Sequence, residues 1–328
     1  VYKRQQHIVV MYKGQVVESG PSLEVLQHPQ HPYTKRLVAA APSLASQRII
    51  SAKERGENAD ALLDHHIAGE STLEKSEHII TVDHLTKEFK LPRKKEMFKA
   101  VDDVSFSVKR GTTLAIVGES GSGKSTVAKM ITHLTDITDG KIFFLGKDIT
   151  HAKGKALRET YRELQMVFQT PAGSFDPRCT IGDGIGESLR NMGISKKETR
   201  NRVEKLLLTC GLTPEYADRY PHQVSGGECQ RAAIARALAV EPKVLICDEA
   251  TSALDVTVQK QIMELLMKLK KEKQLSFLFI CHDLALIQMF CDRVIVMHDG
   301  HVEEEGTPEE IIENPKTEYT KRLIESVL

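Results

Sequence analysis

Several features are scarce in this 328-residue chain. No run of apolar residues is long enough to cross a membrane, so we expect any membrane passage to require other chains. Lysine plus arginine and aspartate plus glutamate number 45 each, which leaves neither a global basic field that attracts nucleic acid nor an acidic excess typical of disorder. The six cysteines are scattered without a C-x-x-C pair, and Cys247 and Cys281, on core strands, are expected to be small buried side chains in a reducing compartment.

A glycine-rich loop is the most specific feature that is present. Gly118 to Ser125 reads GESGSGKS, a complete G-x-x-x-x-G-K-[ST] pattern, after the apolar run Leu114 to Val117 and before a helix-like stretch from Thr126 to Leu134. In this context backbone N–H groups surround phosphate oxygens, Lys124 reaches the outer phosphates and the Ser125 hydroxyl is placed for Mg²⁺. The pattern predicts a nucleoside triphosphate as ligand, the alternative being a glycine-rich turn that binds nothing.

Later strand-like segments end in side chains suited to metal and proton chemistry. Val244 to Glu249 reads VLICDE, in which Asp248 is placed to hold the Mg²⁺ shell and Glu249 to polarise an attacking water. Gln169 closes another strand-like segment and can reach the metal or the water from the other side. His282 follows a further apolar strand. These segments occur where a phosphate-loop ATPase sheet would deliver them.

Together with PHQVSGGECQR at 221–231, this ordered set resembles the ATP-binding cassette of ABC transporters, over His78 to Leu328. The resemblance implies ATP and Mg²⁺ as cofactors. It also implies an α/β fold: a phosphate-loop NTPase core of the ABC ATPase type, with an antiparallel β subdomain and a helical signature subdomain.

The resemblance further implies a role for each matching residue. Glu249 would be the catalytic base, His282 the switch histidine and Gln169 the Q-loop glutamine. Phe89 would stack on adenine, although a lone aromatic residue on a strand also suits a core. The implied metal ligands are Ser125, Gln169 and Asp248. The implied nucleotide-binding residues are Gly118, Glu119, Ser120, Gly121, Ser122, Gly123, Lys124, Ser125 and Thr126 of Walker A, the signature residues Ser225, Gly226, Gly227 and Glu228, and Asp255 of the D-loop at 252–255.

One position departs from the family pattern. The family's signature ends in glutamine, and this chain has Glu228. An ionised carboxylate cannot donate a hydrogen bond and would repel a nearby phosphate. In the family each signature completes the ATP site of the opposite cassette, so any effect would fall on the partner's site. The alternative is a tolerated substitution at a rim position.

An internal repeat indicates the domain organisation. Ile8 to Leu37 aligns without gaps with Val294 to Leu323 at a constant offset of 286, and both copies contain YTKRL. An offset longer than one ATP-binding domain predicts the tail of a first, truncated cassette at 1–44 and a complete second cassette at 78–328. The charged segment 45–77 is predicted to be a flexible linker, and its pair His65 and His66 to be solvated rather than metal-bound. Residues 1–6 do not match the repeat.

Periodicity predicts some elements directly. We expect antiparallel strands at Ile79 to Thr86 and Val101 to Val108, joined by a charged turn at Pro92 to Glu96. Asp139-Gly140 signals another hairpin. Two helices are expected, one that ends at Gly211 and one from Val258 to Lys270 with a core-facing stripe.

The subfamily resemblance concerns partners and substrate. MVFQTPAGSFDPR at 166–178 and both tails resemble the peptide and nickel importers, and tandem cassettes look like the oligopeptide, dipeptide or glutathione type. This implies a second cassette in cis or as a homodimer, two membrane permease domains contacted by Thr170 to Arg190, an extracytoplasmic solute-binding protein, no nucleic acid, and a peripheral position at the cytoplasmic face of the membrane. The alternatives are a soluble ABC-type ATPase acting on nucleic acid or ribosomes and a nucleotide binder without hydrolysis.

Overall fold

The computed structural model describes residues 7–12, 14–40, 78–90, 97–251 and 254–327. Residues 1–6, the linker at 45–77 with its histidine pair, the charged turn at 92–96 and residues 252–253 of the D-loop lie outside the described residues, so those predictions stay predictions.

Two sheets build the body of the chain after residue 77. The strands are β3 (His78–Lys90), β4 (Met97–Lys109), β5 (Thr113–Val117), β6 (Asp139–Phe144), β7 (Lys147–Asp148), β8 (Leu164–Val167), β9 (Val244–Asp248), β10 (Ser276–Ile280), β11 (Arg293–His298) and β12 (His301–Gly306). The antiparallel sheet has the order β4-β3-β6-β7. The larger sheet has the order β12-β11-β5-β10-β9-β8 and is parallel except for β12. This architecture confirms the predicted fold class.

Helices cover the larger sheet and form a separate helical region between β8 and β9. The repeat module contributes β1 (His7–Tyr12), β2 (Gln15–Pro21), α1 (Ser22–Gln27) and α2 (Pro32–Ala40). The remaining helices are α3 (Lys124–Ile131), α4 (Gly154–Glu163), α5 (Ile181–Asn191), α6 (Lys196–Thr209), α7 (Gly226–Leu238), α8 (Val256–Lys273), α9 (Leu284–Phe290), α10 (Pro308–Glu313) and α11 (Glu318–Val327).

The larger sheet separates two hydrophobic cores. Side chains alternate across β5, so that Leu114 and Ile116 pack with the antiparallel sheet and α3, while Ala115 and Val117 pack with the helical region. All five residues of each of β5, β9 and β10 are buried, as expected for parallel strands covered on both faces. The carboxyl ends of these strands therefore meet at one edge of the sheet, where ligands of open α/β sheets bind.

Most predicted elements are confirmed with wider bounds. Strands β3 and β4 pair antiparallel, α6 ends before Gly211, whose φ is 73°, and α8 buries Ile262, Leu266 and Leu269. The helix after the phosphate loop is shorter than expected, because it ends at Ile131.

The hairpin predicted at Asp139-Gly140 is wrong. These residues begin β6, and the hairpin turn to β7 lies at Leu145 and Gly146, whose φ values are both positive. Gly140 serves a close approach instead, since a Cβ there would lie 2.4 Å from the carbonyl oxygen of His84.

The two copies of the repeat share their backbone and side-chain contacts. The β1–β2 and β11–β12 hairpins have the same register and the same irregularity, between Val10 and Met11 in one and between Val296 and Met297 in the other. In both copies a β2 or β12 carboxylate accepts hydrogen bonds from backbone N–H groups at the start of the second helix: Glu18 from Gln30 and His31, Glu304 from Lys316 and Thr317. The sequence repeat is therefore a structural repeat.

Candidate active site

The glycine-rich loop connects β5 to α3 at the carboxyl edge of the sheet. Gly118, Gly121 and Gly123 have φ values of 144°, 89° and 100°. A Cβ on Gly118 would lie 2.1 Å from the carbonyl oxygen of Met297, and one on Gly123 would lie 2.4 Å from that of Ala100. Backbone conformation and the close approach of β11 and β4 both require glycine here.

The Lys124 side chain is buried inside the loop. Its ammonium group donates hydrogen bonds to the carbonyl oxygens of Gly118 at 2.9 Å and Glu119 at 2.6 Å, and to the Ser122 hydroxyl at 3.2 Å. Burial lowers the pKa of Lys124, against the opposite effect of the nearby Glu249 and Asp248 carboxylates. The loop thus presents a preorganised cation at the start of a helix, which suits a polyanionic ligand.

Ser125 and Asp248 form the candidate metal site. The Ser125 hydroxyl donates a hydrogen bond to Asp248 Oδ1 at 2.8 Å. Burial raises the pKa of Asp248, and the Ser125 hydrogen bond partly offsets this shift. A hydroxyl and a carboxylate oxygen at the carboxyl end of β9 are hard oxygen ligands of the kind Mg²⁺ prefers, so these residues fit that ion.

Glu249 lies between the two other polar residues that the sequence predicted. Gln169 Nε2 donates to Glu249 Oε2 at 2.5 Å, and His282 Nε2 contacts Glu249 Oε1. His282 Nδ1 also lies 3.2 Å from the carbonyl oxygen of Gly118. The φ of Glu249 is 47°, an uncommon value for a residue other than glycine. The three side chains therefore meet beside the phosphate loop.

An exposed aromatic pair borders a cavity beside the phosphate loop. Phe89 and Phe98 face each other across β3 and β4 and are 42% and 51% exposed. They line the cavity together with Lys124, Glu249 and His282. The Lys87 ammonium group lies 5.0 Å from the centre of the Phe89 ring. Phe98 was not predicted from the sequence, although antiparallel pairing of its strand with that of Phe89 was a signal that could have identified it.

The signature segment does not line this cavity. Ser225 caps α7, and Glu228 forms a capping box with it: the Ser225 N–H donates to Glu228 Oε2 at 2.7 Å, and the Glu228 N–H donates to the Ser225 hydroxyl at 3.4 Å. The Tyr216 hydroxyl donates to Glu228 Oε1 at 2.5 Å. This hydrogen bond, followed by that from Ser225, lowers the pKa of Glu228. A Cβ on Gly227 would lie 2.4 Å from Val258.

Asp255 likewise acts as a helix cap. Its carboxylate accepts hydrogen bonds from the N–H groups of Thr257 at 3.1 Å and Val258 at 3.0 Å, at the start of α8. It is not among the residues that line the cavity. The predicted site residues thus fall into two groups, one around the phosphate loop and one at the N-termini of α7 and α8.

The site combines a phosphate loop at the edge of a parallel sheet with an adjacent serine–aspartate pair and a glutamate next to a histidine. This combination defines a nucleotide-binding protein of the phosphate-loop ATPase class. Comparisons with known proteins agree. Residues 101–252 match the family described as ABC transporter, and residues 17–67 and 303–328 match the family described as oligopeptide/dipeptide transporter, C-terminal region.

Two relatives are ATP-binding proteins, one of oligopeptide transport and one of glutathione import. The oligopeptide transport ATP-binding protein OppF of Salmonella typhimurium is 44% identical over 266 residues, which cover 78% of this chain and 80% of OppF. The glutathione import ATP-binding protein GsiA of Pectobacterium atrosepticum is 40% identical over 332 residues, which cover 98% of this chain and 53% of GsiA. The chain therefore belongs to the family of ABC transporter ATP-binding proteins. It spans about half the length of its GsiA relatives.

Solved structures show the same fold. The ATP-binding cassette MJ0796, in a dimeric post-hydrolysis state bound to ADP and Pi, is 31% identical with a TM-score of 0.64, over 70% of this chain and 98% of that one. The cbiO1 protein of Clostridium perfringens, part of the cbiONQ complex, is 30% identical with a TM-score of 0.63, over 72% and 91%. Within the part of this chain that the structure describes, no helix is long and apolar enough to span a membrane.

Proposed function

We propose that this chain is the ATP-hydrolysing subunit of an ABC importer that takes up peptides or a related small solute. The observation that carries the proposal is the meeting of Lys124, Ser125, Asp248, Glu249 and His282 around one phosphate loop. The names of the two relatives, which concern oligopeptide transport and glutathione import, support the substrate class.

The residues around the loop divide the work of hydrolysis. Loop N–H groups and Lys124 bind the phosphates, while Ser125 and Asp248, with Gln169 nearby, hold Mg²⁺, which neutralises charge on the phosphate oxygens when bound. Glu249 orients the attacking water and accepts its proton. The contact between His282 and Glu249 places both side chains on the same side of the loop, where His282 would stabilise the transferring phosphate. Phe89 and Phe98 provide the surface for the adenine ring.

A second cassette is required because the signature of this chain is remote from its own cavity. Ser225 and Gly226 lie exposed at the N-terminus of a 13-residue helix, where oriented N–H groups and the helix dipole favour an anion. We assign them to the ATP held by an opposing cassette, in cis or in a homodimer. Closure of the two cassettes on ATP then supplies the motion, and hydrolysis reopens them.

A groove beside β8 suits a cytoplasmic segment of a membrane permease. It is lined by the exposed side chains Leu134 and Met192 together with Arg158, Tyr161 and Arg236. The groove joins α4 and β8 to the end of α5, where Ser188 belongs to the segment Thr170 to Arg190 that was predicted to contact permeases. A segment with apolar residues and acceptor groups fits this lining. Two permease domains, an extracytoplasmic solute-binding protein and a peripheral position at the cytoplasmic face of the membrane complete the proposed system.

The repeat module at residues 7–40 is proposed to be the tail of another cassette. In the second copy, Ile295 and Met297 of β11 are fully buried, because they pack in the core between the larger sheet and the antiparallel sheet. Their counterparts Val9 and Met11 in β1 are 54% and 58% exposed. These exposed side chains of β1 form the surface on which the core of a first cassette would pack. We therefore keep the division into a first-cassette tail at 1–44, a linker at 45–77 and a second cassette at 78–328.

Replacement of the loop lysine tests the proposal. Lys124→Ala removes one charged contact with the phosphates, worth about 1.5 to 3 kcal/mol, so affinity for ATP should fall about ten- to a hundredfold. Lys129→Ala, an exposed position on the same helix, is the matched control. Titration with a fluorescent ATP analogue measures both. Equal affinity in Lys124→Ala and the wild type would refute the proposed site.

A further inference from the structure

The C-terminal module, which comprises β11, β12, α10 and α11 at residues 293–327, contacts the phosphate loop at three points. The Met297 carbonyl of β11 approaches Gly118, the Gly300 N–H between β11 and β12 donates to the Ser122 carbonyl at 3.2 Å, and the Glu119 N–H donates to the Tyr319 hydroxyl of α11 at 3.0 Å. The first two contacts use backbone atoms only. The third depends on one side chain, Tyr319, 200 residues from Glu119 along the chain.

The Tyr319 ring is held in place from its own module. It stacks on His298 with ring centres 3.9 Å apart and an angle of 21° between the ring planes. The Glu304 carboxylate accepts hydrogen bonds from the N–H groups of Lys316 and Thr317, which fixes the segment that leads into α11. The hydroxyl is therefore a preorganised acceptor, so little conformational entropy opposes its hydrogen bond to the loop.

The peptide group held by Tyr319 is central to the site. The Glu119 N–H belongs to the same planar peptide as the Gly118 carbonyl. That carbonyl accepts a hydrogen bond from Lys124 Nζ at 2.9 Å and lies 3.2 Å from His282 Nδ1. Rotation of this peptide would move the carbonyl away from both side chains. Tyr319 thus acts on one end of a rigid unit whose other end contacts the phosphate-binding lysine and the histidine.

We propose that Tyr319 is a positioning residue for ATP binding, which acts through the Gly118–Glu119 peptide on Lys124 and His282. Residues 303–328, which match the oligopeptide/dipeptide transporter C-terminal region, then support the phosphate loop through Tyr319. This inference rests on the ATP-binding role of the loop, and it goes further by assigning a part to a residue outside the family's nucleotide-binding motifs.

The repeat supplies a matched control within the same chain. Tyr33 corresponds to Tyr319 at the offset of 286, and its ring packs on Tyr12 with ring centres 4.4 Å apart. The loop amide of Glu119 is bonded to Tyr319 and not to Tyr33. Tyr33→Phe therefore removes the same hydroxyl from the same kind of aromatic pair, without touching the phosphate loop at 118–125.

The test compares Tyr319→Phe with Tyr33→Phe in the 328-residue chain. Tyr319→Phe keeps the aromatic stack but loses a neutral hydrogen bond, so affinity for a fluorescent ATP analogue should fall about two- to tenfold. Amide hydrogen exchange at Glu119 should accelerate by a similar factor. Tyr33→Phe should leave both quantities at the wild-type value. A residue that only packs α11 would change the unfolding temperature and leave both quantities unchanged.

Each outcome decides a distinct point. Wild-type ATP affinity and wild-type Glu119 exchange in Tyr319→Phe would overturn the inference and leave the proposed function intact. Failure of the wild-type chain to bind ATP would overturn the proposed function and this inference with it. If Tyr319→Phe fails to fold, exchange in the wild-type chain decides: a Glu119 amide that exchanges at the rate of an unprotected amide contradicts the hydrogen bond.

Discussion

Substitution of Glu228 separates the two interpretations of the altered signature, because its structural and electrostatic effects have opposite signs. The carboxylate accepts hydrogen bonds from the Ser225 N–H and the Tyr216 hydroxyl in the first turn of α7. Glu228→Gln loses the charge and keeps one acceptor oxygen for the Ser225 N–H, while its NH₂ group can donate to the Tyr216 hydroxyl oxygen, so both partners retain a hydrogen bond. Glu228→Ala loses the charge and both side-chain hydrogen bonds, and leaves the Ser225 cap in place. The two variants therefore distinguish the charge from the hydrogen bonds.

The expected effect on stability is small. A carboxylate near a helix N-terminus contributes about 0.3 to 1 kcal/mol, so Glu228→Gln should lower the free energy of unfolding by that amount. Glu228→Ala should lower it by about 1 to 2 kcal/mol, because it loses the charge and the two side-chain hydrogen bonds. The folded-state pKa of Glu228 is depressed. Its contribution is therefore present above the unfolded carboxyl pKa and disappears as pH falls through the folded value, so wild type and Glu228→Gln should converge in acid.

The expected effect on assembly is a gain. A carboxylate near the phosphates of an opposing cassette costs on the order of 1 kcal/mol for two unit charges about 4 Å apart in water. Removal of that charge in Glu228→Gln should therefore strengthen the ATP-dependent dimer about fivefold per site. Tyr216→Phe, which removes a hydrogen bond and keeps the charge, is the control and should leave dimerisation unchanged.

Thermal unfolding measures the effect on stability. Sedimentation with ATP measures the effect on dimerisation, in chains that also carry Glu249→Gln to prevent turnover. A Glu228→Gln dimer no tighter than wild type would refute the electrostatic argument and leave the tolerated rim substitution. A loss of more than about 2 kcal/mol in Glu228→Gln would show that the cap needs the charge itself.

Two further predictions concern adenine and assembly. Phe89→Ala should weaken ATP binding about two- to tenfold, as expected for loss of an aromatic stacking surface. Phe98→Ala in the same titration shows which ring contacts adenine. Unchanged affinity in both variants would show that the aromatic pair does not belong to the site. Without another signature in cis, the chain should be monomeric without ATP, and its phosphate release per molecule should rise with protein concentration. A stable dimer without ATP and a rate independent of concentration would contradict the domain division.

Local patterns predicted much of the fold and the grouping around the phosphate loop. GESGSGKS at 118–125 specifies its own backbone, and VLICDE at 244–249 places its carboxylates at a strand end, so the positions of Lys124 and Asp248 followed from short segments. Asp139-Gly140 misled because glycine serves close approach as well as turns. The capping box Ser225-x-x-Glu228 was readable from sequence, but comparison with the family's glutamine drew attention to the charge instead.

Tertiary contacts explain what the sequence could not predict. The hydrogen bond between Glu119 and Tyr319 joins residues in separate elements, and no periodicity or motif relates them. The burial of β11 and the exposure of β1 depend on what packs against each strand, although the two hairpins are nearly the same in sequence. The sequence thus predicts elements and motifs well, and pairings between distant elements less well.

Phosphate release by Glu249→Gln tests the central claim most directly, because Glu249 is the proposed general base and contacts both Gln169 and His282. With Mg²⁺ and ATP, the variant should bind ATP like the wild type and release phosphate about 10² to 10⁴ times more slowly. An ATP-bound dimer should accumulate, which light scattering detects. Phosphate release at the wild-type rate by Glu249→Gln would contradict the account.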